Sequence, residues 1–561
     1  MLIGPSWQKA IYARRTANLI MNGSVKGNFV DVVSGKVFPA QVDFQDGKIK
    51  AVTEISEPQE RFILPGLIDA HIHVESSQLC PSRFAEIAVT HGTTAVVCDP
   101  HEIANVQGMT GIRYMIEDAS RSPLRFHFTA PSCVPSTVHE TNGAKLGKPE
   151  VEKLLAMKEV VALGEVMDHM AVLRDDPEMM DKIKAAKFQW KPIDGHCPGL
   201  RGKDLAKYFE AGISSDHECL SAGEAEEKYH LGMWIMAREG SGHKNLRDLL
   251  PFIKRNEFML VSDDIQAVDL LEGHMDNLLR KAVLMGVNPV HAIRAATAWP
   301  AWHYFLPLGV LQPGKPADIV IVDDLREFRV HQVYIAGRLV AEDGKALFQV
   351  EPVKGEASLR RQDRRPEEFA PRAEGRTARV RVIKALPDQI ESYRTFVELE
   401  AKDGNLLPDV DKDVLVMAVV NRYAPAPPAL AFVTGFGLKK GAMASTVAHD
   451  SHNIIVVGAD LDAMAEAVNR VSRKGGYIVF DGIDERSVSL DVAGLMSTSS
   501  AVEVAGRTNA AVEMLRGMGC KLPSPFATLS FQSLLVVPEL KLSDKGLFDS
   551  RQMKFVDLVV S

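Results

Sequence analysis

The sequence has little of what marks membrane, disulfide-rich and nucleic-acid-binding proteins. No stretch of its 561 residues approaches the roughly 20 consecutive apolar residues of a membrane-spanning helix. Its six cysteines include no CxxC pair, which argues against a disulfide framework and indicates reduced thiols. A net charge of -8 provides no basic surface for duplex nucleic acid or an anionic membrane. These absences favour a soluble protein that binds a small molecule in a pocket.

The N-terminal segment has little of the pattern of a secretory signal. Arg14 and Arg15 are followed by a stretch that Asn18, Asn22 and Gly23 interrupt before an apolar segment could form. We therefore expect no signal peptide and predict a cytoplasmic location. Neither nucleic acid nor a membrane is an expected partner. For a chain of several domains we also predict a homo-oligomer, a dimer or larger.

The chain is too long for a single hydrophobic core, and its middle part repeats one pattern. At roughly 150 residues per domain, about two to four units are expected. Between residues 65 and 305, apolar strand-like runs alternate with segments whose apolar residues have helical spacing. The eight runs are GLIDAHIH, TTAVVCDPHE, RFHFTAPS, VVALGEVM, FQWKPIDGH, GISSDHE, MWIMAREGSG and FMLVSDD. Such repeats predict a (β/α)8 TIM-like barrel, an α/β fold in which the carboxyl ends of the strands form the active site.

Short strands and turns flank the predicted barrel on both sides. Residues 1–64 contain a hairpin signal at Asp46 and Gly47, because glycine readily adopts the positive φ of such turns. Residues 306–350 show the same pattern of short strands. Because each segment is too short to be stable alone, we expect the two to complete one composite β-sandwich.

The remainder of the chain is predicted to be a linker and a separate domain. Residues 351–375 are charged and poor in apolar residues, as linkers are. Residues 376–561 include a strand, a helix and a second strand, with Asp460 placed to cap the helix and Gly475 to end it. We therefore predict an additional C-terminal α/β domain with a core of its own.

Polar side chains gather at the ends of the predicted barrel strands. His71 and His73 are one residue apart, so in an extended strand both imidazoles face the same side. The later strand ends carry Asp99, His101, Glu102, Glu165, His196, His217, Glu239 and Asp263. Imidazoles together with carboxylates suit one or two divalent first-row metals, and a carboxylate can bridge a pair. Each residue alone is more often an ordinary hydrogen-bonded one, but together they predict a metal centre.

The motifs around these residues resemble those of a known family. PGLIDAHIHVES, VCDPHE, GEVM, DGHCPG, SSDHE and VSDD closely resemble the adenine deaminase family of the amidohydrolase superfamily, and the resemblance extends into the C-terminal domain. It implies the deamination of adenine to hypoxanthine and ammonia, a reaction of purine salvage. Many members of the superfamily have a carboxylated lysine where this chain has Glu165, which argues against the hydantoinase and dihydroorotase branches.

The resemblance also implies a binuclear centre that usually holds iron(II) or manganese(II), with zinc(II) as an alternative. The implied ligands are His71, His73 and Asp263 for the first ion, His196 and His217 for the second, and Glu165 as the bridge. A hydroxide shared by the ions would attack C6 of adenine, and Asp263 would receive its proton and pass it on. Two alternatives stay open: hydrolysis of another cyclic amidine or amide, and a non-catalytic scaffold built on the barrel.

Neighbours of these residues are candidates for further roles. His101 and Glu102 lie just past the second strand, where they either bind or protonate the purine or make ordinary hydrogen bonds. Asp99 is interpreted as a cap of the following segment. The expected supports of His217 are Asp216 and Glu218, and the expected pocket loop contains Ser241, Gly242 and His243.

One further cluster lies outside the predicted barrel. The run AHDSHN places His449, Asp450, His452 and Asn453 between two strands of the C-terminal domain. This run resembles a segment that recurs in the same family. It either closes over the barrel mouth and contacts substrate or metal, or it forms an interdomain hydrogen-bond network.

Overall fold

The computed structural model describes residues 22–242, 244–387 and 389–560. Arg14, Arg15, Asn18 and the rest of residues 1–21 of the predicted N-terminal part, together with the predicted pocket residue His243, lie outside these ranges. Within the described ranges, no helix has both the length and the apolar character needed to cross a membrane. All six cysteines are buried free thiols, as their spacing predicts.

The N-terminal part is a set of short strands. They are β1 (Gly23–Val30), β2 (Val37–Gln45), β3 (Lys48–Glu54) and β4 (Phe62–Pro65). The turn between β2 and β3 has φ of 53° at Asp46 and 75° at Gly47, the left-handed conformation that two-residue hairpins require. The hairpin predicted from this dipeptide is therefore confirmed.

Eight parallel strands follow and form the barrel. They are β5 (Leu67–Ile72), β6 (Thr93–Cys98), β7 (Arg125–Ala130), β8 (Val160–Val166), β9 (Ile193–Gly195), β10 (Ser215–Asp216), β11 (Trp234–Arg238) and β12 (Met259–Val261). The Ser214 amide donates to the Ile193 carbonyl at 2.8 Å and links β10 to β9. The Asp263 amide donates to the His71 carbonyl and the His73 amide to the Asp263 carbonyl, both at 3.0 Å. These bonds join the last strand to the first, so the barrel is closed and the predicted fold class is confirmed.

Helices pack around these strands. They are α1 (Pro81–Ala88), α2 (His101–Gln107), α3 (Met109–Ala119), α4 (Lys148–Leu155), α5 (His169–Leu173), α6 (Pro177–Phe188), α7 (Gly202–Glu210), α8 (Ala222–His230), α9 (Leu250–Ile253), α10 (Ala267–Leu270), α11 (Met275–Leu284), α12 (Pro289–Ala295) and α13 (Ala298–His303). The alanine-rich segment before residue 305 forms the last three of these helices. Thr297 breaks it, because its backbone is non-helical and its hydroxyl donates to the Ile293 carbonyl at 2.6 Å.

The second group of short strands joins the first in one sheet. It comprises β13 (Ile319–Val322), β14 (Val330–Ile335), β15 (Arg338–Glu342) and β16 (Lys345–Ala346). β13 pairs antiparallel with β4, which gives an eight-stranded sheet in the order β16-β15-β14-β13-β4-β1-β2-β3. Val42 and Phe44 from the first group share a core with Ile319 and Ile321 from the second. The two segments therefore complete each other, as expected from their length.

The C-terminal part is rich in sheet. Its strands are β17 (Thr377–Ala385), β18 (Ser392–Lys402), β19 (Asn405–Leu406), β20 (Leu415–Val420), β21 (Ala429–Thr434), β22 (Ala442–Ser445), β23 (Ile454–Gly458), β24 (Tyr477–Phe480), β25 (Glu485–Val488), β26 (Leu540–Ser543), β27 (Gly546–Asp549), β28 (Lys554–Phe555) and β29 (Val559–Val560). Its helices are α14 (Leu461–Lys474), α15 (Ala501–Gly517) and α16 (Pro525–Ser530). Asp460 caps α14 by accepting from the Ala463 amide at 3.0 Å, and Gly475 follows the helix with φ of 74°. Both termini lie where the sequence predicts.

The C-terminal part packs against the segment that follows β5. The Gln78 side chain donates to the Tyr477 hydroxyl at 2.9 Å, and the Ser497 amide donates to the Gln78 carbonyl at 2.8 Å. The Cys80 amide donates in return to the Ser497 carbonyl at 3.1 Å. Because this segment leaves the carboxyl end of a barrel strand, these contacts place the C-terminal part over the barrel mouth.

Candidate metal centre

The carboxyl end of β5 places two imidazoles beside two carboxylates. His71 belongs to β5, His73 follows it, and Ile72 between them is bridged to Asp263. Nε2 of His73 lies 3.2 Å from Oε1 of Glu165 and 3.2 Å from Oδ1 of Asp263. Nε2 of His71 lies 3.7 Å and 3.8 Å from the same two oxygens. Both imidazoles therefore face one centre.

The second ring nitrogen of His73 shows which atom is available as a ligand. Nδ1 lies 3.0 Å from the backbone carbonyl oxygen of Asp99, and a carbonyl can only accept, so Nδ1 carries the hydrogen. In the neutral ring, Nε2 then presents its lone pair to the oxygens of Glu165 and Asp263. A lone pair facing carboxylates is stable only with a cation or a proton between them. A histidine whose other ring nitrogen donates to a carbonyl is typical of metal ligands.

Glu165, near the end of β8, lies at the middle of the cluster. Its Oε2 is 2.6 Å from Nδ1 of His196 and 3.3 Å from Nε2 of His217. Its Oε1 faces the two imidazoles from β5, with His73 the nearer at 3.2 Å. One carboxylate oxygen thus faces each pair of imidazoles, which is the arrangement that a bridge between two ions requires.

The electrostatics of the cluster favour ionised carboxylates. Burial opposes ionisation of Glu165, but the charge of His217 and hydrogen bonds from the imidazoles hold its pKa well below the usual value. Burial and the charges of His217 and His73 lower the pKa of His71 to about 4. Nε2 of His71 is buried and has no hydrogen-bond partner among the described residues. A neutral, unpaired imidazole nitrogen beside carboxylates fits a divalent cation, so these residues fit a divalent metal centre.

Arg238, at the end of β11, was not among the residues predicted from the sequence. Its guanidinium donates through Nη1 to Asp263 Oδ2 and to Glu218 Oε1. The available signal was a charged residue ending the otherwise apolar run WIMAR. Glu239, the next residue and a predicted member of the strand-end cluster, instead pairs with Lys281 at 2.8 Å.

The contacts of Arg238 predict a loss of stability in Arg238→Lys. Lysine keeps the charge but cannot present the planar fork of a guanidinium, so the charge-assisted bonds to Asp263 and Glu218 weaken. We expect the free energy of unfolding of the metal-free protein to fall by about 1–3 kcal/mol, from urea titration. Exposed Arg247 is the matched control, and Arg247→Lys should change the free energy of unfolding by less than about 0.5 kcal/mol. Equal effects of the two substitutions would contradict this role.

Asp99 supports Glu165 instead of capping a helix. Its Oδ2 accepts a hydrogen bond from the backbone amide of Glu165 at 3.2 Å. Helix α2 begins after Pro100 with no side-chain cap, so the predicted capping role is wrong. The buried Asp99 side chain is directed across the barrel toward β8, and it holds the strand that carries Glu165.

The two acidic neighbours of His217 have different surroundings. Glu218 Oε1 lies 3.6 Å from His217 Nε2, so this carboxylate borders the centre. Asp216 instead accepts from the Lys228 ammonium at 3.0 Å and from the Cys197 amide at 2.8 Å. Of the two expected supports of His217, Glu218 therefore contacts the imidazole directly, and Asp216 ties two strand ends together behind it.

His101 and Glu102 begin α2, and their side chains reach different partners. His101 Nδ1 lies 3.5 Å from Glu165 Oε1, beside the centre. The Glu102 carboxylate lies 2.5 Å from Nδ1 of His449 and is also bonded to Nε2 of His452. The C-terminal part therefore contacts the barrel site through both histidines of the AHDSHN run.

The charges of this interdomain cluster are complementary. Burial opposes ionisation of Glu102, but the charges of His449, His452 and His101 hold its pKa well below the usual value. Burial alone would lower the pKa of His449, but the charge of Glu102 raises it to about 9. Asp450 lies at the edge of the cluster, with Oδ1 4.0 Å from His449 Nδ1. Glu102 and His449 thus form a buried ion pair between barrel and C-terminal part.

A cleft lies between the barrel and the C-terminal part, next to this ion pair. Its barrel side includes Glu75, Gln78, Ser241, Gly242 and Asp264, and its other side includes His449, Tyr477, Phe526 and Phe531. Burial raises the pKa of Glu75 to about 7, and burial with the charge of Asp263 raises the pKa of Asp264. Ser241 and Gly242 line the cleft, as their loop position predicts. The aromatic residues were missed, because no local pattern shows that α16 would reach the barrel.

Known proteins resemble this chain over nearly its whole length. The model of the amidohydrolase family matches residues 62–340, and that of the adenine deaminase C-terminal domain matches residues 389–554. An adenine deaminase of Methanothermobacter thermautotrophicus is 47% identical over 542 residues, covering 95% of this chain and 99% of that protein. An adenine deaminase of Salinibacter ruber is 46% identical over 552 residues, covering 96% of this chain and 99% of that protein. An adenine deaminase of Methanosphaera stadtmanae is 44% identical over 539 residues, covering 95% of this chain and 99% of that protein.

Proposed function

We propose that this chain, which belongs to the adenine deaminase family of the amidohydrolases, hydrolyses adenine to hypoxanthine and ammonia at the cluster around Glu165. The observation that supports this most is the position of Glu165, one of whose oxygens lies 2.6 Å from His196 and the other 3.2 Å from His73. A carboxylate between two pairs of imidazoles suits a binuclear hydrolytic centre. The full-length similarity to adenine deaminases supports adenine as its substrate.

The residues that would hold two divalent cations divide into two groups. His71, His73 and Asp263 would bind one ion, His196 and His217 the other, and Glu165 would bind both. We propose iron(II) or manganese(II), with zinc(II) as an alternative, because nitrogen and oxygen ligands suit all three. When bound, the ions supply positive charge that makes water acidic enough to provide a nucleophile near neutral pH.

Asp263 is placed to move a proton between water and the leaving group. Its Oδ2 is held by Arg238, and its Oδ1 faces the centre at 3.2 Å from His73. The fixed carboxylate would take the proton of the attacking water and release it to the departing amine. Arg238 would keep Asp263 oriented while its protonation changes.

We propose that the cleft receives the flat heteroaromatic ring of the substrate. Aromatic side chains of the C-terminal part cover it, with Tyr477 and Phe526 stacked at 4.1 Å between ring centroids. Carboxyl groups of Glu75 and Asp264 lie on the barrel side. Stacking surfaces opposite hydrogen-bonding groups are how protein pockets hold a nucleobase. The C-terminal part would thus exclude water from a purine bound above the centre.

Turnover of adenine by protein loaded with iron or manganese tests this function. We expect release of one ammonia and one hypoxanthine per adenine, with activity rising until about two metal ions are bound per chain. Guanine, cytosine and dihydroorotate serve as competing substrates in parallel assays. No activity on adenine in a folded, metal-loaded sample would overturn the proposal. Turnover of another of these compounds would identify a different cyclic substrate, and a folded sample that takes up no metal would indicate a non-catalytic scaffold.

Two further expectations stay predictions. The homo-oligomer, a dimer or larger, is checked by the molar mass of the metal-loaded protein in solution. The cytoplasmic location is checked by fractionating cells that produce the chain from its own gene.

A further inference from the structure

We infer that His449, carried by the C-terminal part, binds the substrate through Nε2 by donating a hydrogen bond to a ring nitrogen of the purine, with Glu102 of the barrel as its positioning residue. The inference rests on the proposed function. In this inference, residues of both the barrel and the C-terminal part form the adenine site.

The contact with Glu102 fixes which nitrogen of His449 is free to bind. Nδ1 lies 2.5 Å from Glu102 Oε1, and a carboxylate can only accept when ionised, so Nδ1 carries a hydrogen. Nε2 makes no hydrogen bond to any residue that the structure describes, and the side chain is 12% exposed. The high pKa of His449 keeps a hydrogen on Nε2 as well. This nitrogen is therefore an unused donor on a ring that lines the cleft.

Both ring nitrogens of His452 have partners, unlike those of His449, so His449 is the residue that can bind the substrate. Its Nδ1 accepts from the Ala448 amide at 3.2 Å, and its Nε2 donates to Glu102. Both nitrogens are thus occupied, and the side chain is only 1% exposed. An imidazole whose Nδ1 accepts from an amide and whose Nε2 carries its hydrogen has no lone pair for a metal ion. His452 and Glu102 therefore form a support, and His449 is the member that reaches the cleft.

The position of His449 is fixed from the C-terminal part as well. Its backbone amide donates to Ser530 Oγ and its carbonyl accepts from Ser533 Oγ, each at 3.2 Å. Its ring stacks on Phe531 with 5.3 Å between centroids and an angle of 21°. Such preorganisation keeps the entropic cost of binding low. A purine in the cleft would have Nε2 at one edge and the carboxyl groups of Glu75 and Asp264 on the barrel side.

The test uses His449→Asn in the full-length, manganese-loaded protein. The asparagine amide nitrogen matches the position of Nδ1 and can donate toward Glu102 without the charge of the ion pair, but no atom replaces Nε2. The ligands are purine and its 1-deaza, 3-deaza and 7-deaza analogues, which have no amino group to release. Calorimetry gives their affinities for wild type, for His449→Asn and for the matched control His230→Asn, whose histidine is exposed at the end of α8.

We expect wild type to bind purine more tightly than one of the analogues by about 10- to 100-fold, the range of a hydrogen bond to a charged group. His449→Asn should bind purine and that analogue equally, because the donor is gone. Its metal content should stay at the wild-type value, and His230→Asn should behave as wild type. A uniform loss of affinity for all four ligands in His449→Asn, or no loss for any, would overturn the inference.

A second measurement does not depend on how well the variant folds. In crystals of manganese-loaded wild type with purine, a separation of more than about 3.5 Å between His449 Nε2 and every purine ring nitrogen would overturn the inference. Failure of the proposed function is a separate result, since it is read from wild-type turnover of adenine alone.

Discussion

Asp263→Asn is expected to lower kcat for adenine by about 10²–10⁴-fold, the usual contribution of a positioned general acid or base. The amide cannot accept the proton of water, although it has nearly the shape of the carboxylate. The backbone should tolerate the change, because Asp263 has φ of 56° and asparagine adopts this left-handed conformation as readily as aspartate does. Steady-state turnover is measured at saturating manganese, so that weaker metal binding does not account for the loss.

A matched control separates chemistry from backbone effects in this experiment. Asp343 also has positive φ, 46°, but lies in an exposed hairpin of the composite sheet. Asp343→Asn should retain wild-type turnover and metal content. If Asp263→Asn kept both its metal and its turnover, Asp263 could not be the proton carrier.

Glu165→Gln is expected to remove metal as well as activity. Glu165 lies within 3.7 Å of His71, His73, His196 and His217, and a neutral amide would leave the two ions without the negative charge between them. Replacing even an outer partner of a metal ligand costs about 10–100-fold in affinity or activity, so a bridging ligand should cost at least about 100-fold. Elemental analysis after gel filtration should find fewer than two ions per chain.

Glu239→Gln is the matched control for this substitution. Glu239 also lies at a barrel strand end, but its carboxylate pairs with Lys281 at 2.8 Å and not with the imidazoles. We expect this variant to keep its metal and its turnover. Two tightly bound ions per chain in Glu165→Gln would show that another residue bridges them.

The main features of the fold follow from patterns that repeat along the chain. Apolar runs alternating with helical segments predicted the barrel. Because parallel strands all end on one side, the polar strand ends also predicted that most of these residues meet, although Glu239 pairs with Lys281 instead. The spacing of His71 and His73 placed both rings toward one centre. These predictions depend on local periodicity and on one topological rule, and neither needs a tertiary contact as input.

What the patterns could not show depends on side-chain direction and on long-range packing. Arg238 and Glu239 are adjacent and both charged, and only the strand geometry turns Arg238 toward Asp263 and Glu239 toward Lys281. The cover of the cleft by Phe531 needs contacts between segments far apart in sequence. Asp99 looked like a helix cap because it precedes a helix, but burial directs its carboxylate to the Glu165 amide.

The closure of the barrel has a consequence for how its metal would act. The backbone bonds that join the last strand to the first are made by Asp263 with His71 and His73, which are also three of the proposed ligands. An ion bound by their side chains would link the first barrel strand, β5, to the last, β12. Because a ligand that binds only the folded state stabilises it, the affinity for metal and the resistance of the barrel to opening are linked. The same ion would then take part in catalysis and stabilise the closed barrel.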